Sequence, residues 1–273
     1  MTDRLTQFRW TAAENGYRWI KRKSPADGRE RWFLTDGAAL GDPHAIREYS
    51  LAGQTGLFRN FSETDTTKAG IRRFANRYGL LTAGIEIEVR GPLWGLGQAF
   101  EFWSYEIKLL RHAHDLWQMA RDRDSRGLAN FIKWRGQDAV NYDARPAGLT
   151  ILRTIAHRDT NRELLASFHA GDVIDPAWHQ VQFAIDQKLT AAVSPRLLWD
   201  HGRLSLYYLP NDLLSAMWYQ FARAIDGDRT YQRCENCRNW FEVRSPDGAR
   251  ADKRFCGDAC RARAWRKAKE GTR

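Results

Sequence analysis

The residues best suited to chemistry in this chain are four thiols. Cys234, Cys237, Cys256 and Cys260 are all of its cysteines, and they stand as Cys-x2-Cys-x18-Cys-x3-Cys within the last forty residues. Two close pairs separated by a short excursion can deliver four thiolates to one tetrahedral zinc ion. A chain of 273 residues buries enough surface to fold without staples, so the thiols have a local purpose. Four thiolates also close the coordination sphere and leave no position for a catalytic water, so the expected Zn2+ is structural. A nuclease-type finger would need a histidine base, and none of the seven histidines lies beyond His201.

Two other groupings could carry chemistry. Glu86 and Glu88 share a face of the alternating segment "GIEIEVRG", where paired carboxylates can hold Mg2+, although any solvent-facing strand shows the same alternation. "RHAHD" offers His112, His114 and Asp115, but residues two apart on a helix do not face one another, so it reads as structural. No phosphate-cradling glycine motif, nucleophile elbow or zinc-protease helix is present. These readings lean away from an enzyme.

The thiols are set among cations. Residues 231–273 carry 12 Lys and Arg against 6 Asp and Glu, while the other 230 residues carry 31 against 27, so over half of the net charge of +10 sits at this end. A concentrated basic segment points to a polyanion, nucleic acid first. Asp258 is placed to cap a helix from about Ala259 that carries Cys260 in its first turn. That helix would present Arg261, Arg263, Arg266, Lys267 and Lys269, with Arg254 just before it, to phosphates or a major groove.

Several elements must position this module. "NWFEVR" and "ADKRF" read as arms of a hairpin turning at Ser245-Pro246-Asp247-Gly248. With a knuckle at Cys234 and Cys237 and the ligand-bearing helix, this describes a treble clef. Upstream, Tyr17 to Leu34 reads as a hairpin about Ser24–Gly28. Ile71, Phe74, Ala75 and Tyr78 mark an amphipathic helix stopped by Gly79. A long helix is expected from about Gln98 to Arg123, and a second through Leu128, Phe131, Ile132 and Trp134. Residues 136–160 read as loop with at most one strand. Asp175-Pro176 opens a helix to about Val193, "RLLWDHGRLSLYYL" is a hairpin turning at 200–202, and Asn211 caps a helix ending at Gly227.

On these residues the C-terminal forty positions resemble the zinc fingers of the bacterial CGNR type. The matching features are the first cysteine pair, the following "NWF", "RFC" before the third ligand, and Cys260 with Arg263 at the ends of "CRAR". In place of the family's Gly-Asn stand Arg261-Ala262, and the cysteines of each pair are set closer together. Members commonly follow an ABATE region and are classed as stress-linked transcriptional regulators. The body is similar only to a broad class of uncharacterised bacterial proteins, through "GLFRNF" and "FANRYGLL".

The expected architecture is therefore α+β. A helix-rich main domain with β-hairpins, residues 1–227, would bind a ligand or partner, and a four-cysteine treble-clef zinc finger would occupy 228–273. The expected function is nucleic-acid binding, on duplex DNA, as a transcriptional regulator. The alternatives are a protein-interaction finger and a nuclease-like body targeted by the finger. Self-association of the body is open. With no apolar run long enough for a membrane span and no export signal in the first thirty residues, a cytoplasmic location is expected.

Overall fold

The computed structural model describes residues 8–36, 46–51, 54–90, 93–156, 162–200, 202–243 and 252–270. In chain order the elements are β1 (Arg9–Ala13), β2 (Tyr17–Lys23), β3 (Glu30–Asp36), β4 (Ile46–Ser50), α1 (Leu57–Ser62), α2 (Lys68–Tyr78), β5 (Ile85–Arg90), β6 (Leu93–Ala99) and α3 (Phe100–Arg121). There follow α4 (Ser125–Leu128), β7 (Ile132–Arg135), β8 (Ala139–Asp143), β9 (Leu152–Ala156), α5 (Arg162–Ala166), α6 (Ile174–Leu189), β10 (Val193–Asp200), β11 (Arg203–Pro210), α7 (Leu213–Asp226), β12 (Thr230–Arg233), β13 (Trp240–Val243) and α8 (Asp258–Glu270). Helix and strand are thus mixed, with the cysteines at the C-terminal end. The chain forms two compact units, Met1–Ser104 with Leu189–Arg273, and Tyr105–Lys188. The expected boundary at 227/228 falls inside the first unit.

In the first unit an antiparallel sheet runs β2-β3-β6-β5, and β1 pairs with β4 in a separate ribbon. The β2–β3 hairpin forms as expected. Gly28 sits at φ +68° in its turn and donates to the Ser24 carbonyl at 2.8 Å, a backbone state that glycine reaches without strain. On the inner face Phe33, Ile87 and Val89 are buried, with Ile20 and Ala99 packed against them. Helix α2 starts where Thr67 accepts from the Gly70 amide and stops at Gly79, φ +87°. Its Phe74 joins Phe61 of α1 and Trp103 in an aromatic core, with ring centroids 5.1 to 6.3 Å apart.

Helix α7 closes this core. Phe221 lies 5.6 Å from Phe58, and the buried Gln220 bridges to α1 by donating to the Gln54 carbonyl (3.0 Å) and accepting from the Phe58 amide (3.3 Å). Its cap is Asp212, whose carboxylate accepts from the Ser215 amide at 2.7 Å while Ser215 Oγ accepts from the Asp212 amide at 3.1 Å. This corrects the expected cap at Asn211. The Asn211 side chain is already engaged, donating to the Ala191 carbonyl and accepting from Ser194.

The second unit departs more from expectation. The helix expected through Leu128 to Trp134 is one turn, α4, followed by strand β7. Asp124 caps that turn and Asn130 bonds back to the Gly127 carbonyl, which ends it. Ile132 inward, Lys133 outward and Trp134 half-buried then follow a strand's period of two. Residues 136–160 supply two strands rather than one, in an antiparallel meander β7-β8-β9. Helix α3 begins at Phe100, because Gln98 and Ala99 belong to β6. Helix α6 is capped by Asp172, which accepts from the Ile174 and Asp175 amides, and it ends at Leu189 ahead of Ala191 at φ +60°. Asp175-Pro176 therefore lies in its first turn, and the expected extension is replaced by a turn at 190–192 with Val193 opening β10.

Candidate metal centre

The first two thiols hang on a tight hairpin. Strands β12 and β13 pair from Thr230 with Val243 to Arg233 with Trp240. Between them the Cys234 amide donates to the Asn239 carbonyl and the Arg238 amide to the Cys234 carbonyl, both at 2.8 Å. Arg238 takes φ +61° in that knuckle. The expected pairing of "NWFEVR" with "ADKRF" is corrected here. Closing the knuckle places the strands on either side of it in register, so β13 pairs backward with β12, and residues 252–255 carry no strand. They are held instead by Glu235, whose amide donates to the Arg254 carbonyl at 3.1 Å. The expected turn at 245–248 lies outside the described residues.

The other two thiols come from the start of α8. The Cys260 and Arg261 amides both donate to the Gly257 carbonyl at 3.1 Å, which opens the helix and brings Cys260 back over the knuckle. The four sulfurs lie within 4.8 Å of one another, with Cys237 to Cys256 at 3.7 Å and Cys256 to Cys260 at 3.5 Å. Tetrahedral zinc with bonds of about 2.3 Å sets its sulfurs about 3.8 Å apart, so the cluster can hold a metal ion and fits zinc. Cys234 and Cys260 are buried, and Phe241, Val243 and Phe255 pack around the cluster.

The thiols share one proton problem. Burial pushes the Cys234 thiol up, but amide donors from Cys237, Cys256 and Asn236 outweigh it and bring the thiol down to about 6. Burial and the neighbouring sulfurs hold Cys256 well above the ordinary range, and burial raises Cys237. The cluster sheds a first proton readily and resists losing more, a state that a central cation relieves.

This module is bonded into the first unit. The Trp240 amide donates to Asn60 (3.1 Å), the Glu242 amide to Thr55 (3.1 Å) and Asn239 to the Tyr78 hydroxyl (3.2 Å). The Arg59 guanidinium lies 4.0 Å over the Trp240 ring. A Cβ on Gly56 would meet the Trp240 carbonyl at 2.5 Å, so glycine is what lets α1 approach β13.

The basic residues have separate placements. Arg254 makes a two-pronged ion pair with Glu235 (2.6 and 2.7 Å), Arg261 pairs with Asp258 (2.7 Å), and Lys269 stands 4.0 Å over the Trp265 ring. Arg266 and Lys267 are exposed on α8. Arg263 lines a cleft of about 310 Å³ beside Cys237, Cys256 and Cys260, together with Arg47 and Arg77, and among the described residues its lining includes no carboxylate. Arg47 and Arg77 were not singled out from sequence. They come from β4 and α2, far along the chain from Arg263, and no local pattern marks them.

The remaining candidates are dispersed. Glu86 and Glu88 are exposed on β5, and among the described residues no group of three or more metal-ligating side chains includes them. His112 is buried between the rings of Phe131 and Tyr142 with its Nε2 2.5 Å from the Tyr142 hydroxyl, and burial depresses its pKa to about 4. His114 is also buried, with Nδ1 3.6 Å from the Asp115 carboxylate. Among the described residues no helix is long and apolar enough to cross a membrane. Comparison with protein-family models, curated proteins and solved structures finds no match to this chain.

Proposed function

We propose that this protein binds nucleic acid, with duplex DNA as the first target, through a zinc-ordered C-terminal module of treble-clef type, and that it acts as a transcriptional regulator akin to the CGNR class. One observation carries the reading. Arg47, Arg77 and Arg263, from three separate elements, line one cleft with no carboxylate among its described lining residues. Three guanidiniums exceed the double negative charge of a zinc tetrathiolate, and guanidinium forks match phosphate oxygens two at a time. Helix α8 adds Arg266 and Lys267 along the same module.

Cys234, Cys237, Cys256 and Cys260 would hold the zinc ion, which supplies a fold and no reactive position. Arg254 and Arg261, already paired with carboxylates, serve first to brace the module. Such a thiolate site belongs in a reducing compartment, in keeping with a cytoplasmic location.

The test is titration of zinc-loaded full-length protein into labelled duplex DNA, single-stranded DNA and RNA at two salt concentrations. Duplex binding should weaken steeply with salt. Arg263→Gln should lower affinity several-fold and flatten the logarithmic salt slope by about one. Absence of binding to all three probes, or binding indifferent to Arg263→Gln and Arg47→Gln, overturns the reading, and a protein partner retained at high salt would take its place.

A further inference from the structure

Strands β10 and β11 form a two-stranded ribbon, paired from Val193 with Pro210 to Asp200 with Arg203. Residues directly opposite in such a ribbon share a face. One face carries Val193 with the buried Pro210 at one end and then three outer rungs, Pro195 with Tyr208, Leu197 with Leu206, and Trp199 with Leu204, and no charged residue interrupts them. The three outer rungs are turned to solvent. Trp199 is 73% exposed, Leu197 66% and Leu204 63%, while Tyr207 on the opposite face is buried. Apolar side chains thus stand in solvent on this face, against the usual apolar-inward order of an antiparallel ribbon, while Arg196 and Arg203 of the opposite face are exposed as well.

We propose that this face is a homodimer interface, covered by the same face of a second copy of this chain. Three features select that occupant. The rungs expose roughly 600 Å² of apolar surface, at the top of what monomers usually leave in one patch and most of the about 800 Å² per partner of a standard interface. Over half of the net charge of +10 sits in residues 231–273, away from β10 and β11 in sequence, and the three rungs carry no charged side chain, so a second copy meets this face without like-charge opposition. The ribbon also suits a two-fold axis. With the axis crossing the central Leu197–Leu206 rung, the large Trp199 at one end of a copy packs on Pro195 and Tyr208 at the other end of its mate, an isologous fit. Pro195 lacks an amide proton, which blunts the β10 edge and favours joining by the face over strand addition.

The inference stands apart from the nucleic-acid reading, and its test uses no nucleic acid. Sedimentation velocity on zinc-loaded full-length protein over a wide concentration range should show a saturating monomer–dimer equilibrium. Leu206→Glu and Leu206→Lys, both at an exposed position, should each keep the native circular dichroism spectrum and weaken dimerisation at least about a hundredfold. Mixing these two variants should restore the dimer, because opposite charges then meet across the axis. A wild type that stays monomeric throughout, a dimer untouched by both substitutions, or open-ended association without saturation would each overturn the proposal.

Discussion

The cysteine module and the unit Tyr105–Lys188 resolve the same shortage in different ways. Neither stretch has a purely apolar interior. In the module the polar groups at the centre are four thiols, arranged so that a cation can replace their protons. In the other unit they are pairs already complete without a metal: Glu106 with Lys188 at 2.5 and 2.7 Å, and His112 with Tyr142. Burial keeps both His112 and the Tyr142 hydroxyl neutral, and a single proton bridges Nε2 and the hydroxyl, its donor set by the imidazole tautomer. One region offers its thiols to a cation and the other keeps its protons and charges where they are, and that difference can be broken experimentally.

The largest effect should come from the metal. Zinc binding to such modules is worth on the order of 10 kcal/mol, comparable with the whole stability of a domain. Chelation, or Cys234→Ser, is expected to unfold residues 230–243 and α8 and to expose the face of α1 that β13 covers. Hydrogen exchange reads this directly: lost protection at the Trp240 and Glu242 amides with the β7-β8-β9 sheet still protected supports the contrast, and equal loss in both sinks it.

Next in size is the ion pair. Lys188→Met leaves the Glu106 carboxylate, only 5% exposed, without its cation and should destabilise its unit by about 3 kcal/mol. The double variant with Glu106→Leu should recover most of that loss in urea unfolding, and no recovery would mean that Lys188 acts through its packing alone.

The smallest is a response to pH. Folded His112 has its pKa depressed to about 4 from 6.5, so the unfolded chain binds the proton first. Its contribution is complete above pH 6.5 and is lost as pH falls toward about 4, at most about 3 kcal/mol in all. His112→Gln should flatten this part of the stability curve. An unchanged slope between the two proteins would assign the pH dependence to other groups.

Legibility in the sequence followed the range of the interactions. The gathering of the four thiols, the β2–β3 hairpin and helix α2 were readable because each is closed by neighbours: a cysteine pair on one knuckle, a glycine at positive φ, a Thr67 cap with Gly79 at the other end. Leu128, Phe131, Ile132 and Trp134 misled because four apolar residues so spaced satisfy both a helix and a strand, and pairing with β8 decided between them. Trp103, fully buried, was not legible as a core anchor, since its partners Phe61 and Phe74 lie on α1 and α2.

The sequence by itself determined the four-thiol cluster, the basic character of its surroundings and the elements whose caps and turns lie within a few residues. The physical reason is that coordination spacing, capping and turn geometry are complete inside a short window. The tertiary structure alone decided that β13 pairs with β12, that Arg47 and Arg77 join Arg263 in one cleft, and that the ribbon of β10 and β11 turns its apolar face outward. Each of those depends on partners far apart along the chain, and only the packing of the whole unit brings them together.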